Sequence, residues 1–320
     1  MIIFLHLGSV TLAYFFDRLF GDPRVPWHLV SIMGKIISIL DNVFNKGKHI
    51  KQKGLLVVIL GTVFFLGVSL LTTLVLYRLH VAAGFVFETC LIWFSIGGKS
   101  MIQSVNRIHL SLKNNNIENA RKQTAMIVSR NTTHMNGQEI TRSVLESTGE
   151  NISDSMAAPM FYALLGGAPL AVWYRFVNTA DAMVGYKTEK YIHFGWAAAR
   201  LDDVLNYIPA RLTAFLMIFT VWKIKKTTWQ EAFLIMKKYS SFHDSPNSGY
   251  GEAAMAAVLN VRLGGPTSYH GKTVPRPYLG NGERVLNHQC INDGIIIWNW
   301  SGVMVLGFLW MIGGIYFVLA

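Results

Sequence analysis

Charge is scarce in this sequence. Asp, Glu, Lys and Arg make up 15% of its 320 residues, against about 25% in an ordinary soluble domain. Hydrophobic residues make up just over half, and mean hydropathy is positive. Cysteine is scarcer still. Cys90 and Cys290 are the only two, and no CxxC or Cys/His cluster surrounds them. That excludes a disulfide framework and argues against zinc. No GxxxxGK[ST] loop and no kinase motif set occurs, so no nucleotide site declares itself. Acids are outnumbered 18 to 29 by Lys and Arg. No RNA- or DNA-binding motif accompanies that excess, so nucleic acid is not an expected partner.

What is present is length without charge. Leu55 to Leu76 holds 22 uncharged residues. At about 1.5 Å per residue they reach roughly 33 Å, enough to cross a hydrocarbon core of about 30 Å. Gly294 to Ala320 is longer, with 27, and Trp298, Trp300, Trp310 and Tyr316 suit interfacial positions. Spans are therefore expected at about 2–16, 55–76, 81–97 and 295–319. Residues 2–16 carry no charge apart from His6, and 81–97 contain Glu88 alone. The N-terminus lacks the Lys/Arg-rich stretch of a cleaved signal peptide and reads as a retained anchor. Segments 155–177 and 204–222 are ambiguous: Gly166, Gly167 and Pro169 interrupt one, and Pro209 and Arg211 the other. Either crosses, or enters and returns to line a cavity.

The expected fold is all-α: one membrane-embedded domain over 1–320, with about four to six transmembrane helices. Helical cytoplasmic segments and a Gly/Pro-rich loop complete it. Basic clusters at Lys46–Lys53 and Lys223–Lys226 adjoin hydrophobic segments, the positive-inside pattern. This places 17–54, 98–154 and 223–293 in the cytoplasm. Within 98–154, Ile102, Val105, Ile108 and Leu112 recur at helical spacing until Asn114, Asn115 and Asn116 break the run. Asn136 three residues before Glu139 predicts a capping box and a helix onward from Gly137.

Three groups of residues suit chemistry. Glu146, Glu150 and Asp154 stand four apart, on one stripe of that helix, with Asn151 beside them. A hard cation such as Mg²⁺ would relieve their repulsion; a solvated acidic face is the plain alternative. The second group is Asn178, Thr179, Asp181, Lys187, Arg200, Asp202, Asp203, Asn206 and Arg211. Its acids suit metal, its cations phosphate or carboxylate, and an interfacial salt-bridge network explains it equally. The third is His243-Asp244-Ser245-Pro246-Asn247-Ser248-Gly249, leading into a helix from Glu252. A helix start behind a Gly/Ser loop can hold phosphate, although Glu252 in the first turn argues against an anion. The glycines from Gly264 to Gly282 predict a loop of about 25 residues. Asp22-Pro23 reads as a turn, and His28 as a ligand, a base or a structural residue.

Five blocks then stand together: DRLFGDP at 17–23, ESTGENISDSMAAP at 146–159, NTADAMVGYK at 178–187, FGWAAARLDDVLNYIPARLT at 194–213 and SPNSGYGEAAMAAVLNVRLGG at 245–265. In this order they resemble the CobD/CbiB family, the adenosylcobinamide-phosphate synthases, over residues 11 to 285. Two positions depart from the family pattern: Leu29 stands for proline, and Asn131 for aspartate.

The resemblance implies an ATP-dependent carbon–nitrogen ligase of cobalamin synthesis, working in the cell membrane. A propionate carboxylate of adenosylcobyric acid would be joined to aminopropanol or aminopropanol phosphate, with Mg²⁺ and ATP required. Other enzymes of the pathway are possible partners beside the lipid bilayer. Within the resemblance the expected catalytic residues are Glu146, Glu150, Asp181 and Lys187. The expected metal ligands are Glu146, Glu150, Asp154 and Asp202, and the expected substrate or phosphate contacts Arg130, Asn151, Asn178, Thr179, Arg200, Arg211, Ser245 and Asn247. The competing classes are a membrane transporter, which Glu88 and Arg211 would suit, a Mg²⁺-dependent transferase of phosphorylated lipids, suggested by Asp202-Asp203, and a non-catalytic anchor.

Overall fold

A computed structural model describes residues 2–23, 25, 28–269 and 272–319. In chain order its α-helices are α1 (Ile2–Phe20), α2 (Leu29–Phe44), α3 (Ile50–Leu79), α4 (Val81–Ser95), α5 (Gly98–Lys113), α6 (Ile117–Thr124) and α7 (Gly137–Ile152). A π-turn at Ser153–Ala157 leads into α8 (Ala158–Val184), followed by α9 (Trp196–Leu205), α10 (Tyr207–Ile218), α11 (Val221–Ile224), α12 (Trp229–Tyr239) and α13 (Ser248–Leu259). The last helix is α14 (His288–Leu319). Among the described residues six stretches are long and apolar enough to span a bilayer: Ile2–Phe20, Ile50–Leu79, Val81–Lys113, Gly137–Val184, Tyr207–Ile224 and His288–Leu319. The chain is an all-α polytopic membrane protein.

Contacts divide the chain into two compact units. The first comprises 1–97, 158–206 and 308–320; the second comprises 98–157 and 207–307. In the first unit α8 packs on α1, α2, α3, α4 and α9. Val57, Phe65, Val172, Tyr174, Phe176 and Val177 form its core, while Leu55, Ile59, Val63, Phe64 and Leu71 of α3 stay exposed. An exposed apolar face on a thirty-residue helix is what lipid contact requires. Glu88, fully buried, accepts from Tyr77 Oη at 2.5 Å, and its other oxygen lies 2.5 Å from His6 Nδ1. This satisfies the acid that the transporter reading relied on.

Gly166, Gly167 and Pro169 interrupt α8 as expected. Gly167 adopts φ +66°, and a Cβ there would strike Glu88 and His6, so the helix breaks where backbone and buried acid meet.

In the second unit Val105, Ile108, Ile140, Val144 and Ile291 share a core. The helical spacing read from 102 to 112 is realised as α5, which ends at Lys113; Asn115 just beyond it takes φ 56°. The Asn136–Glu139 capping box forms, with the Glu139 amide donating to Asn136 Oδ1 at 3.0 Å and the Asn136 amide to Glu139 Oε2 at 2.8 Å. The expected Gly-rich loop is more ordered than its composition implied. Leu263–Gly264 pairs antiparallel with Tyr278–Leu279 (β1 and β4), and Thr267–Tyr269 pairs with Lys272–Val274 (β2 and β3). Glycines with positive φ at 264, 265 and 280 make these turns possible.

Candidate active site

The strongest polar centre lies in the second unit and is built by α7, α13 and the short strands. Glu146 and Glu150 share a face of α7. Glu146 is 2% exposed, which rules out a solvated acidic face. One of its oxygens accepts from the Gly264 amide at 2.5 Å, and the other is ion-paired with Arg130. Arg130 also donates to Ser143 Oγ at 3.2 Å. Glu150 Oε1 accepts from Ser248 Oγ at 2.6 Å, and Ser248 stands at the first position of α13.

Close packing of α7 on α13 sets these distances. A Cβ on Gly149 would lie 2.8 Å from the Gly251 carbonyl oxygen, and one on Gly251 would strike the Gly149 carbonyl. Each glycine adjoins an acid, Glu150 on one helix and Glu252 on the other. The backbones touch, and the carboxylates are carried together.

Glu252 is the residue whose role the sequence concealed. Helix α13 starts at Ser248, four residues earlier than expected, so Glu252 sits in its second turn rather than its first. It is 3% exposed, and its Oε2 has no hydrogen-bond partner. Burial pushes its carboxyl well above the usual range, and the charges of Glu146 and Glu150 push the same way against Arg276 and Arg130. Its Oε1 lies 3.3 Å from His243 Nε2, which also meets the Arg276 guanidinium. The other ring nitrogen accepts from the Ser245 amide at 2.9 Å. Burial, then Arg276, hold His243 below its ordinary value, while Glu150 and Asp244 oppose them. The centre thus combines an imidazole, three carboxyl groups and two guanidiniums. Arg276, between Pro275 and Pro277, lies outside any periodic segment and left no sequence signal.

Other expected residues fall around this centre in supporting positions. Asn151 Nδ2 donates to the Ser147 carbonyl at 2.8 Å, and its Oδ1 accepts from Ser155. Arg211 lies over the rings of Tyr207 and Tyr250, 3.6 and 4.3 Å from their centroids. It donates to Asn247 Oδ1 at 3.1 Å and to the Tyr207 carbonyl at 2.7 Å. Arg211 therefore braces the 245–247 loop, where Ser245 Oγ accepts the amides of Asn247 and Ser248 at 3.3 Å. Asn131 Oδ1 accepts the Thr133 amide at 3.0 Å and shapes a local turn.

Of the expected stripe, Glu146 and Glu150 lie in α7 and Asp154 lies just beyond it. The α-helix ends at Ile152 and a π-turn takes over at Ser153. Asp154 is the second residue of that π-turn. Among the described residues no group of three or more His, Cys, Asp or Glu is arranged to hold a metal ion. Two oxygen-donor carboxylates, Glu146 and Glu150, suit Mg²⁺ that is shared with substrate phosphates, since Mg²⁺ commonly takes only one or two protein carboxylates.

The remaining expected residues belong to the first unit. Asn178 Nδ2 donates to Asp202 Oδ1 at 3.3 Å and Asn206 Nδ2 to Asp202 Oδ2 at 2.9 Å. Tyr174 Oη donates to Asn206 Oδ1 at 2.9 Å, and Arg175 joins Asn178 to the Ser95 carbonyl. Thr179 Oγ1 bonds back to the Arg175 carbonyl. Asp181 lies near the end of α8. Arg200 is 3.9 Å from Asp203. Burial pushes the Asp203 carboxyl up, while Arg200 and Lys187 pull it down. Lys187 itself is exposed.

Comparison with known proteins follows the same blocks. A family model described as CobD/Cbib protein matches residues 10–297. Similar curated proteins include the "Cobalamin biosynthesis protein CobD" of Halalkalibacterium halodurans, 37% identical over 98% of both chains. That of Clostridium perfringens is 38% identical over 86% of this chain and 88% of its own. The "Cobalamin biosynthesis protein CbiB" of Salmonella choleraesuis is 33% identical over 90% and 91%. No solved structure matches the chain.

Proposed function

The chain belongs to the CobD/CbiB family, and from that premise we propose that it serves cobalamin biosynthesis as an ATP-dependent amide synthase. Its substrates would be adenosylcobyric acid and aminopropanol or its phosphate. The observation that carries this reading is the meeting of Glu146, Glu150 and Glu252 with Arg130, Arg276 and His243.

A carboxylate is a poor acyl donor, so ATP transfers its γ-phosphoryl group to the propionate and ADP leaves. The amine nitrogen then attacks the acyl phosphate, forming the amide and releasing phosphate and a proton. Mg²⁺ would supply neutralisation of phosphate charge. Arg130 and Arg276 bind phosphate oxygens. Glu150, fixed by Ser248, orients the phosphate-bearing reactant. Neutral His243 accepts the released proton, a task suited to an imidazole unprotonated at pH 7. The positive-inside pattern of the basic clusters at 46–53 and 223–226 supports a cytoplasmic orientation for these segments in the cell membrane. A cysteine at Lys48 should then resist an impermeant thiol reagent in intact cells.

The decisive experiment uses the full chain in detergent with adenosylcobyric acid, Mg²⁺, ATP and each amine in turn. The expected result is an amide product by mass spectrometry, with one ADP per amide. No amide with either amine would overturn the reading.

A further inference from the structure

The first unit holds unsatisfied polar atoms that the reading above does not use. After α1 the chain turns through Gly21, whose amide is bonded to the Asp17 carbonyl at 2.8 Å, and presents Asp22. His28 stands immediately before α2 and is 9% exposed. Its Nε2 is buried without a hydrogen-bond partner, and so is Asp22 Oδ1. Asp22 and Arg175 both lie within electrostatic range of this imidazole. The ring also packs against Phe94, with centroids 5.5 Å apart, and Phe94 leans on Trp93.

Leaving a buried polar atom unpaired costs about 1–3 kcal/mol. Two such atoms on side chains within electrostatic range of one another call for an explanation, because the network alongside them is bonded throughout. Arg175 donates Nε to the Ser95 carbonyl at 2.6 Å and Nη1 to Asn178 Oδ1 at 3.2 Å, and Asn178 and Asn206 both bond Asp202. A ligand that completes Asp22 and His28 resolves the contrast.

Chemistry narrows that ligand. The Asp22 carboxylate only accepts, and it repels anions. A primary ammonium has three N–H donors and a positive charge, enough for the carboxylate and an accepting imidazole nitrogen together. Phe94 and Trp93 offer apolar faces to a short carbon chain and attract a cation.

We propose that Asp22 and His28 form the receiving subsite for a short-chain primary ammonium, the amine that the amide synthase consumes. The assignment rests on the function proposed above, and it can fail separately. Equilibrium dialysis of the full chain in detergent, without nucleotide or corrinoid, would use radiolabelled 1-amino-2-propanol and, separately, its phosphate ester. One equivalent should bind. Asp22→Asn and the milder His28→Gln should each weaken binding at least about tenfold, or about 1.4 kcal/mol. In turnover, KM for the amine should rise similarly while KM for ATP stays within about twofold. Ethylamine should compete, and propan-2-ol should not.

Wild-type protein that binds neither probe overturns the subsite, as does unchanged amine binding in both variants, or competition by propan-2-ol as strong as by ethylamine. If Asp22→Asn does not fold, His28→Gln alone decides. Amine binding without amide formation retains the subsite and refutes the synthase. Amide formation with amine KM unaltered in His28→Gln does the reverse.

Discussion

The two units each bury a cluster of acids and amides, and the clusters are built on opposite principles. Around Asp202, donors meet acceptors: both oxygens of the aspartate accept amide protons, and Asn206 is bonded in turn by Tyr174. Around Glu252, like charges are crowded together, and a buried oxygen goes without a hydrogen bond. A satisfied network holds helices in place; a crowded one holds potential for binding and proton transfer. The same residue types therefore carry different meanings, decided by whether their bonds are already made.

The sharpest test removes the centre of the satisfied network. Asp202→Ala strands the amides of Asn178 and Asn206, at about 1–3 kcal/mol for each buried group. A clear fall in melting temperature is expected, with activity lost only in proportion to folded protein. If Asp202→Ala melts normally but is inactive, Asp202 belongs to the chemistry and the comparison breaks.

Glu150→Gln should behave in the opposite way. It keeps the size and the acceptor for Ser248 while deleting charge. Turnover should fall at least about tenfold, or roughly 1.4 kcal/mol in the barrier, with melting almost unchanged. Partial recovery at raised Mg²⁺ would identify metal affinity as the defect. Full activity at low Mg²⁺ would remove Glu150 from the site.

Glu252 links the comparison to pH. Its folded carboxyl titrates well above its unfolded value, so the folded state holds this proton more tightly. The associated stability is present below about pH 4.5 and is lost as pH rises through the folded value. Glu252→Gln cannot ionise. Melting curves against pH should show the variant gaining on the wild type as pH rises; parallel curves would contradict the crowding. The smallest effect is expected from Asn131→Asp, which restores the family acid. Because Asn131 shapes a turn through its Oδ1, which aspartate retains, turnover should stay within about twofold. A large gain would place this position in the chemistry.

The sequence made the membrane helices legible because an uncharged run must satisfy its backbone internally. The Asn136 cap and the breaks at Asn114–Asn116 and Gly166–Gly167 were legible because they are local chemistry. Glu146 and Glu150 were legible as a pair with helical spacing. Periodicity assumes constant winding, so the π-turn that holds Asp154 was not legible in the spacing. Arg276 and Glu252 were hidden for a different reason: their importance comes from their setting beside His243 and the charges of Glu146 and Glu150, the last two about a hundred residues from Glu252. Composition could not show that both oxygens of Asp202 accept side-chain amides.

The bond between Glu146 and the Gly264 amide joins positions 118 residues apart, and this imposes an order on biosynthesis. At about 5–20 residues per second on the ribosome, roughly 6–24 s separate the two syntheses. During that interval the nascent helix already carries an acid that will end up buried, while its later partner does not yet exist. Arg130 is made before Glu146 and can neutralise it at once. The arginine can thus act as a chaperone encoded within the chain, escorting the glutamate until the distant strand arrives.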